Sequence, residues 1–338
     1  MTQPLNWQEH FGNVFFDLWK KAGLPDPLEF AEKYVELRFQ AVFKHELIKE
    51  TTEPNSVLQK TTVNSIYGFG VLHGRMFAQL LGINELEIPD AIDWCGRFNL
   101  GISTFDYITD ETPDGIAKFT SFEVFQSLKS QESQLKQQLN PTEVFLMQLS
   151  QGVLKDIENM DLVNGTNHLM LSMKQLYNSQ MFLSKASLKN MPDPDRIGKF
   201  LYLKSAEPFL VMAEYIANAS HLGQEKIEIA KSLGKAFGKL YWLIDDAIDV
   251  WIDLEANDWN LFLLMAFNQN PKLFTEQSNI SIKKDLEKIW YEDSVAERLS
   301  NKMIEELKNT IKDLEASEEE ITEQLGIMAS VLWHWYKF

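Results

Sequence analysis

The sequence predicts an all-α fold, and three observations carry the prediction. Apolar residues recur at mixed three- and four-residue spacing along most of the 338 residues, as one buried helix face requires. Alternating strand runs are few, and no hairpin turn joins two of them. The 16 glycines and 11 prolines fall mostly between the helical stretches, where they end one helix and open the next.

The elements follow in order. Residues 27–49 place Leu28, Ala31, Tyr34, Val35, Leu37, Val42 and Phe43 on a helical pattern. Asp26-Pro27-Leu28-Glu29 starts that helix, with an Asp cap, Pro at the first position and Glu at the third. Residues 50–56 are a loop. Asn140-Pro141-Thr142-Glu143 repeats the capping logic and opens another helix. Pro192, Pro194 and Asp195 precede a long apolar helix over about 197–219. Gly223 marks its end, and a further helix spans about 225–256. Residues 284–315, rich in Glu, Lys and Leu, read as exposed helix. No Ser/Gly-rich linker and no fixed-period repeat divides the chain, so residues 1–338 are expected to form a single domain.

Composition narrows the function. Asp plus Glu number 49 and Lys plus Arg 32, a formal charge of −17. That balance argues against a nucleic-acid partner and against adsorption to an anionic membrane. Hydrophobic residues make up 45%, enough for a core, which disfavours disorder. Cys95 is the lone cysteine, which excludes an internal disulfide framework and a multi-cysteine zinc site. The start of the chain has neither a basic n-region nor an apolar h-region, and charge interrupts the apolar runs. The expectation is a cytoplasmic protein with no integral membrane span.

The acid is unevenly placed. Asp106 and Asp110 are four apart, about 6 Å along a helix axis and on one face. Glu111 follows, and Pro113 and Gly115 should end the helix. Carboxylates near a helix C-terminus are disfavoured by the macrodipole and repel each other. A cation at that place relieves both; an acidic helix end in water is the equal alternative. The second cluster is denser. Asp245, Asp249 and Asp253 form one stripe, with Asp246 beside them, and no basic residue lies between Lys239 and Lys272. Trp242, Leu243, Ile244, Ile248, Val250, Trp251 and Ile252 surround them. Carboxylates against apolar walls are costly unless they hold a metal. Hard oxygen ligands select Mg²⁺ or Mn²⁺. Two such helices suggest one cavity in which metal ions bind a diphosphate and stabilise its departure.

Asp245-Asp246-Ala247-Ile248-Asp249 resembles the second aspartate-rich motif of the trans-isoprenyl diphosphate synthase family. Asp106-Tyr107-Ile108-Thr109-Asp110 resembles the first, with Tyr107 where the family has a second Asp. Lys204-Ser205 is similar to the family's Lys-Thr segment, whose lysine holds the allylic diphosphate. Ser179-Gln180 falls where a Gly-Gln pair is expected. The resemblance covers roughly residues 60–270. It implies the class I isoprenoid synthase fold, a large all-α helical bundle with a central active-site cavity, often as a homodimer. It also implies Mg²⁺-dependent ionisation of a prenyl diphosphate, with three Mg²⁺ ions per site and Mn²⁺ as a possible substitute. Asp106, Asp110, Glu111, Asp245, Asp246, Asp249 and Asp253 would be the metal ligands. Lys204 would contact diphosphate, with Arg196, Lys199 and Lys337 as further candidates; Arg75 and Arg97 fit salt bridges better. Phe98, Gly101, Ile102, Phe105, Gln180 and Trp242 would line the pocket. Phe98 would be its floor, and the modest Gly101 and Ile102 would leave room for a C15–C20 chain or longer.

Three departures touch the acceptor side. Lys44-His45-Glu46-Leu47-Ile48-Lys49 is a poor match for the segment that binds isopentenyl diphosphate. Residues 111–120 hold only Lys118 where paired arginines are usual. Trp242 lies close to where the family has a Gln. Ionisation machinery without acceptor machinery points to a class I terpene cyclase. A prenyltransferase with an unusual acceptor is the alternative, and a non-catalytic helical partner subunit is a third reading.

Overall fold

The computed structural model describes residues 6–44, 60–111, 141–188, 193–276 and 279–337. Its helices are α1 (Trp7–Lys21), α2 (Ala31–Lys44), α3 (Lys60–Leu80), α4 (Pro89–Glu111), α5 (Pro141–Asn164), α6 (His168–Leu183) and α7 (Pro194–Ser205). They continue as α8 (Glu207–Ala219), α9 (Gln224–Ala256), α10 (Leu261–Gln269), α11 (Leu273–Glu276), α12 (Asn279–Glu292), α13 (Val295–Ile311) and α14 (Glu318–Lys337). No β-sheet forms among the described residues, so the predicted all-α class holds. No helix among them is long and apolar enough to cross a membrane. The expected loop at 50–56, and Pro113, Gly115 and Lys118, lie outside the described residues.

Helix α9 is the axis. It spans 33 residues and packs on α8 along one side and on α13 along another. Asn257 closes it in the left-handed region at φ 67°, a conformation Asn tolerates better than most residues. Helices α3 and α4 pair closely and both pack on α8, and α3 also touches α9. The aromatic residues weld these layers. Trp7 of α1 meets Phe262 of α10 edge-on at 5.4 Å and Trp290 of α12 at 4.9 Å. Trp94 of α4 stacks on Tyr215 of α8 at 3.7 Å.

Three local expectations need correction. The helix expected from residue 27 begins as a 3₁₀ turn, Pro27–Phe30, before α2. Its cap is as expected, with Asp26 accepting from the Leu28 N–H at 3.1 Å. The long helix expected over 197–219 is two, α7 and α8, parted at Ala206. Pro208 stands in the first turn of α8 and has no N–H to give the Lys204 carbonyl, which favours a break just before it. The stretch 284–315 is likewise two helices, with Ser294 at φ 46° between them. It is also not an exposed surface: Leu286, Trp290, Val295, Met303, Ile304 and Leu307 are buried. Its charge is amphipathic, one wet face over a packed one.

The break at Ala206 matters for the site because α9 comes very close to it. A Cβ on Gly238 would lie 2.3 Å from the Ala206 carbonyl oxygen, and one on Gly234 would lie 2.5 Å from the Phe209 carbonyl oxygen. Only glycine permits that approach. The end of α7, with Lys204 and Ser205, is thereby set against α9.

Candidate active site

A cavity of about 170 Å³ opens between α4, α6, the α7–α8 junction, α9 and α14. Asp245 and Trp242 of α9 line it, with Lys204 and Ser205 of α7 and Gln180 of α6. Ile102 and Ser103 of α4 and Leu176, Phe209, Tyr241 and Trp335 complete the wall. A second chamber of about 330 Å³ adjoins it and shares Ile102, Ser103, Ser205, Phe209 and Trp335. Its outer wall comes from α2 and α3, with Tyr34, Arg38, Ser65, Ile66 and Phe69, and from Asn99 of α4.

The acidic stripe of α9 resolves into distinct environments. Asp245 is exposed into the cavity and Asp249 is half-buried one turn further on. Burial pushes the Asp249 carboxyl above its ordinary range. Asp253 is pushed up to about 6, chiefly by burial, although Asn260 Nδ2 donates to it at 2.7 Å. Lys204 lies near enough to draw both Asp253 and Asp258 downward. Asp246 turns inward instead. Its Oδ2 accepts from Trp242 Nε1 at 2.9 Å and from the Leu261 N–H at 2.6 Å. Burial and the neighbouring Asp245 raise its pKa well above the carboxylate range. Asp246 therefore braces α9 against the start of α10 rather than facing the cavity, unlike the neighbouring Asp245.

The other site candidates divide in the same way. Ile102, Gln180, Trp242 and Lys204 stand on the cavity wall. Phe98 does not form its floor: it is fully buried and stacks on Trp94 at 4.8 Å. Gly101 is buried beside Ile102 without lining the cavity. Arg196 is exposed and sits over the Phe182 ring at 4.4 Å, and Lys199 is exposed on the same helix. Lys337 sits over the Trp333 ring at 4.8 Å. None of the three reaches the cavity; Trp335 of the same C-terminal helix does. Arg75 pairs with Glu85, and Arg97 with Asp93 and Asp156. Asp106, Asp110 and Glu111 belong to the last turns of α4, one and two turns beyond the cavity-lining Ile102. Their side chains, and that of Phe105, lie outside the described residues.

Sequence reasoning missed the aromatic end of the cavity and its cation. Phe209 and Tyr241 stack at 4.6 Å, and Trp335 stacks on Phe69 at 5.3 Å. Behind them His73 is buried, and burial drives its pKa down to about 4, so it is neutral. Arg38 stands at the second chamber, with Tyr34 Oη at 3.4 Å and Ser65 Oγ at 3.3 Å. These residues come from segments far apart in sequence and form no motif.

The carboxylates of α9 have the oxygen-donor chemistry that a hard divalent cation takes. Asp249 and Asp253 are carboxylates whose charge is opposed mainly by burial, and a bound divalent ion offsets that cost. No group of three or more His, Cys, Asp or Glu side chains among the described residues is arranged to enclose a metal. Ions at Asp245 and Asp249 would complete their shells with water, substrate oxygens or residues beyond those described, as Mg²⁺ commonly does.

By sequence, no family model and no curated protein matches the chain. By structure, the chain has the all-α fold of the isoprenyl diphosphate synthases. It is similar to a medium/long-chain length prenyl pyrophosphate synthase from Arabidopsis, with a TM-score of 0.59 at 13% identity over 92% of this chain and 99% of that one. A decaprenyl diphosphate synthase from Rhodobacter capsulatus follows at 0.56 and 10% identity, over 90% of this chain and 98% of that one. A geranylgeranyl pyrophosphate synthetase from Pyrococcus horikoshii matches at 0.53 and 13% identity, over 96% and 98%. At these identities the likeness is one of fold.

Proposed function

We propose that the protein is a Mg²⁺-dependent enzyme that ionises a prenyl diphosphate and transfers the prenyl group to a second substrate. The observation that carries this reading is a two-chambered cavity. One chamber has Lys204 and Asp245 in its wall, and the other has Arg38; they meet at Ile102, Ser103, Ser205, Phe209 and Trp335. Cyclisation needs one chamber, whereas joining two molecules needs a place for each. The similar folds reported above all belong to proteins described as prenyl diphosphate synthases, which supports transfer over the cyclase reading that the missing acceptor motifs favoured.

In this mechanism Lys204 and Ser205 hold the diphosphate at the α7–α8 junction. Mg²⁺ bound by Asp106, Asp110, Asp245 and Asp249 would neutralise charge on the departing diphosphate. Phe209, Tyr241, Trp242 and Trp335 present ring faces and edges to the cavity, and ring faces stabilise a cation. The same apolar walls keep water from the cation before the acceptor reaches it. Arg38 would orient an acceptor that carries negative charge. The protein is expected to form product from farnesyl or geranylgeranyl diphosphate with Mg²⁺ only when a second substrate such as isopentenyl diphosphate is present. Hydrocarbon or terpene alcohol formed as the major product from the allylic diphosphate alone would establish the cyclase reading instead. Absence of Mg²⁺-dependent diphosphate binding in calorimetry would leave a non-catalytic partner.

A further inference from the structure

A polar pair interrupts the aromatic wall of the inner chamber. Tyr241 lines that chamber one helical turn before Asp245, about 6 Å away along the α9 axis. Behind it, His73 of α3 is fully buried. Its Nδ1 lies 2.7 Å from the Phe69 carbonyl oxygen and its Nε2 lies 2.6 Å from the Tyr241 hydroxyl. A carbonyl only accepts, so Nδ1 carries the imidazole proton and Nε2 accepts from the Tyr241 O–H. The phenol proton is thus directed at His73, and the lone pairs of the phenol oxygen remain on the side away from it. Phe69, Phe209 and Trp335 pack around the pair. Packing alone would be served as well by Phe at 241 and an apolar residue at 73, with no buried polar atoms to satisfy.

We propose that Tyr241, backed by His73, takes the proton that ends the carbocation sequence in this cavity. The proposal rests on the prenyl diphosphate reading above, because it needs a carbocation. The C–H bond next to the cationic carbon breaks, and its electron pair becomes the new π bond. The proton bonds to Tyr241 Oη as the tyrosine's own proton passes to His73 Nε2. The imidazolium keeps its Nδ1–H bond to the Phe69 carbonyl. As product leaves, His73 returns its proton to Tyr241, which releases one to entering water, and the pair is restored. A carbocation is a far stronger acid than imidazolium, so a weak, neutral base suffices. One turn of α9 separates this acceptor from the diphosphate at Asp245, far enough to direct proton loss to a carbon away from the ionised one. Tyr241 is the catalytic residue here and His73 a positioning residue that also stores the proton.

The test compares the full-length protein with Tyr241→Phe and His73→Gln. Tyr241→Phe removes one oxygen and keeps the ring; His73→Gln keeps an acceptor but removes the base. Each is incubated with Mg²⁺, farnesyl diphosphate and isopentenyl diphosphate. Diphosphate release and product distribution are measured, with thermal unfolding as the check on folding. The expected result is diphosphate release within about threefold of wild type while olefinic product falls at least about tenfold, in the range of a lost general base. Water-quenched alcohols should rise in its place. If release falls in step with product in a well-folded Tyr241→Phe, the residue serves binding or ionisation and the proposal is overturned. Unchanged product in both variants overturns it as well and leaves the diphosphate as the base. If Tyr241→Phe does not fold, His73→Gln decides by the same olefin-to-alcohol ratio. Failure of the wild-type protein to release diphosphate from any C10–C20 prenyl diphosphate would overturn the functional reading itself.

Discussion

Lys204 lines one chamber and Arg38 the other, so on the proposed reading their substitution should separate the two substrates. In the proposed mechanism Lys204→Met removes a charge-assisted contact to the allylic diphosphate, about 1.5–3 kcal/mol. The expected outcome is a fall in kcat/KM of roughly ten- to a hundredfold when the allylic substrate is varied. Arg38→Met should raise KM for the acceptor by about tenfold and leave that for the allylic substrate near wild type. Initial-rate measurements with each substrate varied in turn check both. Equal effects of the two variants on both substrates would mean that the chambers do not divide the substrates between them. Phe98 makes the converse case. It is fully buried against Trp94, so Phe98→Ala should cost about 3–5 kcal/mol of stability without shifting product chain length. Urea unfolding and product chromatography read the two effects independently.

At the scale of elements, the site depends on how closely α9 approaches the α7–α8 junction. Gly238→Ala adds a methyl 2.3 Å from the Ala206 carbonyl oxygen, and backbone atoms must move to admit it. Overpacking of this kind costs about 1–3 kcal/mol, and here it also shifts Lys204, two residues before Ala206. Gly152→Ala is the matched control, since a Cβ there meets nothing within 4 Å. Gly238→Ala should lose both stability and turnover, and Gly152→Ala neither. The sequence makes the helices legible because each buried face repeats with the helical period, and the Asp26 cap and the first-turn Pro194 mark where two of them begin. The Ala206 break is harder to read because the apolar pattern runs through it; only Pro208 marks it. The phase of the acidic helix is harder still. Asp245 and Asp246 are adjacent and chemically alike, yet α9 turns one to the cavity and the other to Trp242 and Leu261. A one-residue rotation decides that, and the packing of α10 fixes the rotation. Lys204, Gln180, Ile102 and Trp242 were reachable through motif spacing. Arg38, Tyr241, His73 and Trp335 needed the tertiary fold, because the helices that carry them meet only in space.

At the scale of the molecule, burial has left titratable groups with opposite demands. The Asp253 pKa is raised to about 6 in the folded protein, against about 3.9 when unfolded. The folded state therefore binds more protons across that window, and this group makes the protein more stable as pH falls from about 6 towards 4. His73 is the reverse. Its pKa is lowered to about 4, against about 6.5 when unfolded. The unfolded state binds more protons, so stability is lost as pH falls from about 6.5 towards 4. The two slopes oppose each other and flatten the wild-type profile in metal-free buffer. Asp253→Asn keeps an acceptor for Asn260 and removes the carboxylate, so its stability should fall with acid more steeply than that of wild type, by on the order of 1 kcal/mol per pH unit. His73→Gln should gain stability relative to wild type over the same range. Chemical denaturation at half-unit steps from pH 7 to pH 4.5 measures both differences. Parallel profiles for all three proteins would mean that neither group is held in the environment the fold gives it. On the proposed reading, Mg²⁺ and inorganic diphosphate would add a further term: binding to the folded protein alone would raise its unfolding temperature by mass action. Because binding needs ionised carboxylates, that rise should shrink below pH 6 in wild type, and at every pH in Asp249→Asn.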